Sequence, residues 1–206
     1  MLNTVIFVGF FVLLAVSVAV VVVVAVSKKR KNAMPQGFLK AESNLLRKME
    51  IDPELFFEPD LTQLPQLPEG DPHDVELAAS RTMIYFKEPI SDMHLSRQYS
   101  PAQMSEISGY RENFNHHLKT LTNWANSLAE IVETTEDALL VLGYVIAHGA
   151  EDAAPYKLAA ELYAEYGAVE ILEALIDTVE AREFRNAVTR DAILDFIGDR
   201  IDELSR

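Results

Sequence analysis

The run from Thr4 to Val26, TVIFVGFFVLLAVSVAVVVVVAV, limits what this chain can fold into more than any other stretch. It holds no charge and no proline, and only Thr4, Gly9 and Ser17 interrupt it. Its 23 residues make a helix about 34 Å long, enough to cross a hydrocarbon core of about 30 Å with slight tilt. In lipid every backbone N–H and C=O must be paired within the segment, so a helix is expected despite the β-branched valines. Residues 1–27 are therefore expected to be a transmembrane anchor.

The flanks orient it. Met1, Leu2 and Asn3 carry no side-chain charge, whereas Lys28, Lys29, Arg30 and Lys31 follow the run directly. Cations beside a membrane segment stay on the cytoplasmic side. A single-pass signal-anchor is expected, N-terminus outside and all else in the cytoplasm. The competing reading is a cleaved secretory signal ending near Ala25-Val26-Ser27. It lacks a basic n-region, and its apolar core exceeds the usual length of about 7–15 residues. Ala15 and Ala19 form a small-xxx-small pair of the kind that lets membrane helices approach, although alanine is also common filler there.

Charge divides the chain. Residues 28–48 hold seven cations (Lys28, Lys29, Arg30, Lys31, Lys40, Arg47 and Lys48) against Glu42 alone. Residues 49–206 hold eleven cations against 31 acids, a net −20. An anionic leaflet attracts the first block by about 1 kcal/mol per cation close to the surface. It repels the second. The seven cations are thus expected to face the membrane surface, with the acidic part held away from it. Nucleic-acid binding needs a basic footprint that the acidic part lacks. A basic or amphipathic protein surface is the natural complement. There are no cysteines, which excludes disulfides, thiolate metal sites, iron–sulfur clusters and cysteine nucleophiles and agrees with a cytoplasmic location.

Residues 28–51 form a basic juxtamembrane segment. Within it Phe38, Leu45 and Met49 share a helical face, suiting either a helix resting at the interface or the first helix of the soluble domain. Residues 52–72 contain Pro53, Pro59, Pro65, Pro68 and Pro72, and proline forbids interior helix and strand pairing. An acidic, semi-extended tether is expected, reaching about 60 Å at full extension. Leu55, Phe56, Phe57, Leu61, Leu64 and Leu67 complicate a pure spacer, so docking along the domain is the alternative, as is a short linear motif for a partner.

Residues 73–206 are expected to be an acidic all-α domain, an antiparallel helical bundle with a short α-solenoid as the alternative at its C-terminus. Asp71-Pro72 opens a helix expected to run to Lys87, and residues 89–100 read as loop. Ser100-Pro101 opens the longest helix, to about Glu133. There Ile107, Phe114, Leu121 and Leu128 recur every seven residues, flanked by Tyr110, His117 and Trp124 and by Leu118 and Ala125, a stripe wide enough for a bundle. Residues 138–150 are apolar on nearly all faces and too short to span a bilayer, so they suit a central buried helix closed by His148-Gly149. Helices over about 153–166, 168–183 and 188–204 complete the chain, and no strand is expected.

Few residues carry chemistry. Of His73, His94, His116, His117 and His148, the adjacent pair His116 and His117 is the best candidate for a metal ligand or acid–base group, with Glu112 one turn before His116. No second ligand stands at metal-site spacing, so a core-edge histidine is the better account. Glycine-rich phosphate loops and nucleophile elbows are absent, and neither cofactor nor enzymatic activity is expected. Glu161, Glu165, Glu170, Glu173, Asp177 and Glu180 recur at three- to five-residue spacings. They read as a solvated face or as a carboxylate surface for a basic partner. In plan alone, the layout resembles bacterial division and envelope scaffolds and the outer-membrane import receptors of mitochondria, in which one anchor precedes a helical binding domain. The resulting expectation is an anchored adaptor, scaffold or accessory subunit that recruits or assembles proteins at a membrane. The alternatives are a structural membrane protein of a large assembly, such as a respiratory complex or a virion, and a tethered His/carboxylate enzyme.

Overall fold

In the computed structural model, which describes residues 50–86 and 90–206, the chain is mostly helical. The expected anchor and the membrane-facing cations Lys28, Lys29, Arg30, Lys31, Lys40, Arg47 and Lys48 lie outside the described residues. Among those described, no helix is long and apolar enough to cross a membrane. Residues 49–206 form one compact unit.

Its elements, in order, are β1 (Phe56–Phe57), α1 (Val75–Ala79), β2 (Met83–Ile84), α2 (Asp92–Gln98), α3 (Pro101–Ala129), α4 (Thr135–Ala147), α5 (Ala154–Glu165), α6 (Val169–Glu180) and α7 (Ala187–Leu204). Ser100-Pro101 starts α3 as expected. The Ser100 hydroxyl accepts from the Gln103 N–H at 3.4 Å and the Gln103 side chain accepts from the Ser100 N–H at 3.0 Å, a reciprocal cap. The heptad stripe becomes the buried face of α3, with Ile107, Phe114, His117, Leu118, Leu121, Trp124 and Ala125 inside. The helix ends at Ala129, short of Glu133, and Ile131 and Val132 are left exposed.

α3 packs most extensively on α4, which also meets α5; α5 touches both α6 and α7, and those two pack on each other. Leu121, Trp124, Val141, Leu142, Val145, Tyr156, Leu172, Val179, Ile193 and Ile197 form the main core. A smaller cluster of Ile84, Leu95, Tyr99 and Ile107 sits under the N-terminal half of α3. One exception concerns α4: Leu140 is 57% exposed, so this helix is not sheathed on all sides.

Three local expectations give way. The helix opened at Asp71-Pro72 is only the five-residue α1, and Met83–Ile84 leave it as a strand. Phe56 faces Ile84 and Phe57 faces Met83 in an antiparallel pair, so a short sheet exists where none was expected. Local propensity at 82–86 (Thr, Met, Ile, Tyr, Phe) favours strand over helix, and the partner lies in the proline-rich segment, too distant in sequence to signal the pairing. Asp71 still serves the helix start, accepting from the Glu76 N–H at 2.7 Å, but it does so from left-handed backbone (φ 34°). Finally, the expected loop at 89–100 contains α2, capped by Ser91.

Residues 52–72 lie along the helical body, with Phe57, Leu61, Leu64 and Leu67 packed against the main core. The prolines break regular structure into two 3₁₀ turns, capped by Asp52 and Asp60, without preventing docking. The Phe57 ring meets Phe114 edge-on at 5.0 Å, Tyr85 at 6.2 Å and His148 at 5.2 Å. Each such aromatic pair adds about 0.5–1.5 kcal/mol beyond burial, enough to hold a segment that loses little entropy because its prolines already restrict it.

Candidate functional site

The six carboxylates singled out by their spacing are all exposed. Glu161 and Glu165 lie one turn apart on α5. Glu170, Glu173, Asp177 and Glu180 follow the 3.6-residue period along the face of α6 opposite Leu172, Leu175 and Val179. None of the six joins an ion pair with a described residue. Tyr166 (60% exposed) stands between the two groups at the α5–α6 turn. The result is an acidic ridge along each helix with Tyr166 at the turn between them, free to meet a cationic or amphipathic surface.

The histidine pair is split by the helix. His116 is exposed, whereas His117 is fully buried on the core face of α3, with neither ring nitrogen in a hydrogen bond. Burial holds His117 well below the usual imidazole range, at about 4, with His148 and then His116 adding repulsion. It is therefore a neutral core residue. No group of three or more His, Asp or Glu side chains able to hold a metal occurs among the described residues. His148 closes α4: its ring packs at a tilt on Tyr144, centroids 4.1 Å apart, and its Nδ1 lies 2.8 Å from the Tyr144 carbonyl oxygen.

Sequence reasoning missed a second site. Arg111 on α3 and Arg182 and Arg185 in the α6–α7 connection meet at one cleft of ≈ 640 Å³, walled by Ile84, Tyr85, Phe86 and Phe114. The Arg111 guanidinium lies over the Phe86 ring at 5.5 Å and donates to Asp92 at 3.4 Å. Arg182 donates to the Ile146 carbonyl at 3.1 Å, at the C-terminal end of α4, where a cation is favoured. Arg185 pairs with Glu151 at 3.1 Å. Glu151 is pushed up by burial, an effect that Arg111 and then Arg182 oppose. One carboxylate thus stands among three guanidiniums.

Gly149 makes room for this arrangement. Its φ of 91° ends α4, with the Gly149 N–H donating to Ile146 O at 3.0 Å and the Ala150 N–H to Val145 O at 3.3 Å. A β-carbon here would overlap the Arg182 guanidinium and crowd the Tyr85 hydroxyl. Gly149→Ala should therefore cost about 2 kcal/mol or more from backbone strain and displacement of Arg182. A fall in the urea midpoint at unchanged slope checks this; Gly198→Ala, inside α7 with nothing within 4 Å of the added carbon, should instead stabilise by about 0.5–1 kcal/mol. The glycine was legible in sequence as a helix stop. Its second role, clearing space for an arginine 33 positions away, was not.

The chain matches no protein-family model, no curated protein and no solved structure.

Proposed function

We propose that this chain is a single-pass, membrane-anchored adaptor, scaffold or accessory subunit. In this reading an antiparallel helical bundle hangs from a transmembrane helix and recruits or assembles partner proteins at the cytoplasmic face. The observation that carries the proposal is the acidic ridge of α5 and α6, whose six carboxylates are exposed, with the exposed Tyr166 at the turn between the two helices. The charge division supports it as well, since +6 near the anchor and −20 beyond it keep the ridge off an anionic leaflet and available to a basic or amphipathic partner. Electrostatic complementarity of this kind raises association rates and selects partners by sign.

Charge reversal tests the ridge. The triple variant Glu170→Lys, Glu173→Lys, Asp177→Lys removes three acids from one exposed face, so its stability should stay within about 0.5 kcal/mol of the parent. Cross-linking on native membranes should capture a partner with the parent chain and at least about tenfold less of it with the variant. A partner captured equally by both sinks the ridge as its docking surface.

Membership of a large assembly as a structural subunit is the second reading. Leu140, Tyr166, Ile171 and Val188, 46–74% exposed, favour it, since subunit interfaces are more apolar than free surfaces. An isolated chain that melts at markedly lower temperature than the assembled one would support this reading over a transient adaptor.

A further inference from the structure

We infer that the arginine cleft between α3, the α4–α5 turn and the α6–α7 connection binds a small organic molecule that carries one carboxylate or phosphate group on an apolar or aromatic body. Cations are scarce in this part of the chain, yet three of the eleven in residues 49–206 line one cleft. They come from positions 111, 182 and 185, so the convergence is a product of folding and not of a local basic run.

Each of the three is held in place by something other than a ligand. Arg111 is braced against Phe86 and paired with Asp92, Arg182 is held by the Ile146 carbonyl, and Arg185 by Glu151. Those contacts use few of the five N–H donors each guanidinium offers. Planar guanidiniums with donors to spare are suited to the bidentate recognition of carboxylate and phosphate. Against them the wall sets only Glu151 and Glu183, with Asp92 paired to Arg111 at its edge, so the cleft is near neutral inside a region of net −20. That contrast selects the ligand. A polyanionic chain would run out over the acidic surface and be repelled, whereas a compact anion is contained within about one Debye length of the arginines. Tyr85 and Phe86, half-buried over the inner Ile84 and Phe114, supply an apolar wall for the rest of the molecule, and the cleft volume of ≈ 640 Å³ lies in the range of small-molecule pockets.

Glu151 gives the test its sign. It is the carboxylate nearest the role of an internal stand-in, and it competes with any incoming anion. Full-length chain in detergent micelles is titrated calorimetrically with phenyl phosphate, benzoate and inorganic phosphate. At least one of the aromatic probes should bind saturably at one site per chain, more tightly than inorganic phosphate, and the tighter of the two identifies the head group. Arg185→Gln and Arg111→Gln should each weaken that binding by about tenfold or more. Glu151→Gln, which keeps a polar partner for Arg185 but removes the competing charge, should tighten it several-fold. A network that only braces helices would not gain affinity from that change. Arg185 and Glu151 are both at the surface, so their variants should keep the parent circular dichroism and melting temperature. The inference fails if neither aromatic probe saturates below about 10 mM or if the affinity is the same in all variants. It also fails if Glu151→Gln weakens binding or if inorganic phosphate binds as tightly as the aromatic probes.

Discussion

Trp124→Ala should destabilise residues 49–206 by about 3–5 kcal/mol. Trp124 is 2% exposed on the buried face of α3, in the core where α3 meets α4. Truncation removes the largest fully buried side chain and leaves a cavity that the surrounding helices cannot close without losing their own contacts. A domain of this size is held by about 5–15 kcal/mol in all, so about a fifth or more of the margin goes with one side chain. Trp124→Phe keeps most of the volume and should cost distinctly less. Urea unfolding followed by circular dichroism measures both. Fluorescence will not serve, because Trp124 is the only tryptophan. A loss below about 1 kcal/mol for the alanine variant would mean that the α3–α4 seam is not the main source of stability.

Acid should destabilise the fold through His117, and removing that histidine should abolish this part of the pH dependence. The folded chain holds His117 at about 4, mainly through burial, then through His148 and His116. The unfolded chain binds the proton near the ordinary value of 6.5. Between those values the unfolded state carries more bound protons, so stability rises with pH across the window. It is complete above about pH 6.5 and declines as pH falls toward 4, by about 3 kcal/mol in total. His117→Leu should flatten the profile between pH 6.5 and 4. At pH 7 it should be neutral or stabilising by about 1–3 kcal/mol, since neither ring nitrogen has a partner to lose. A variant that keeps the same slope would assign the acid sensitivity to other groups.

The candidate ridge was legible because it is local. Glu161 and Glu165, and Glu170 through Glu180, lie on single helices, and helical period alone places each group opposite the apolar residues of its own segment. The cleft was not legible. Arg111 and Arg182 stand 71 positions apart, and nothing in the sequence around either one marks the other as a neighbour. His117 falls between these cases: its place on the apolar stripe of α3 announced burial, but the absence of any hydrogen-bond partner depends on what folding sets against it.

The same division holds for the fold. Sequence alone determined that residues 100–206 would be helical, where the helices open at Ser100 and close at Gly149 and Gly167, and which faces are apolar. Capping, period and glycine stops act over one or two turns, so their physics is contained in neighbouring residues. Only the tertiary structure decided that Phe57 would leave an extended, proline-rich stretch to pack on Phe114. It alone decided that Met83–Ile84 would become a strand, and that three arginines from distant elements would share one cleft. Those outcomes follow from the free energy of surfaces that meet across long loops, and a surface has no partner until the chain has closed around it.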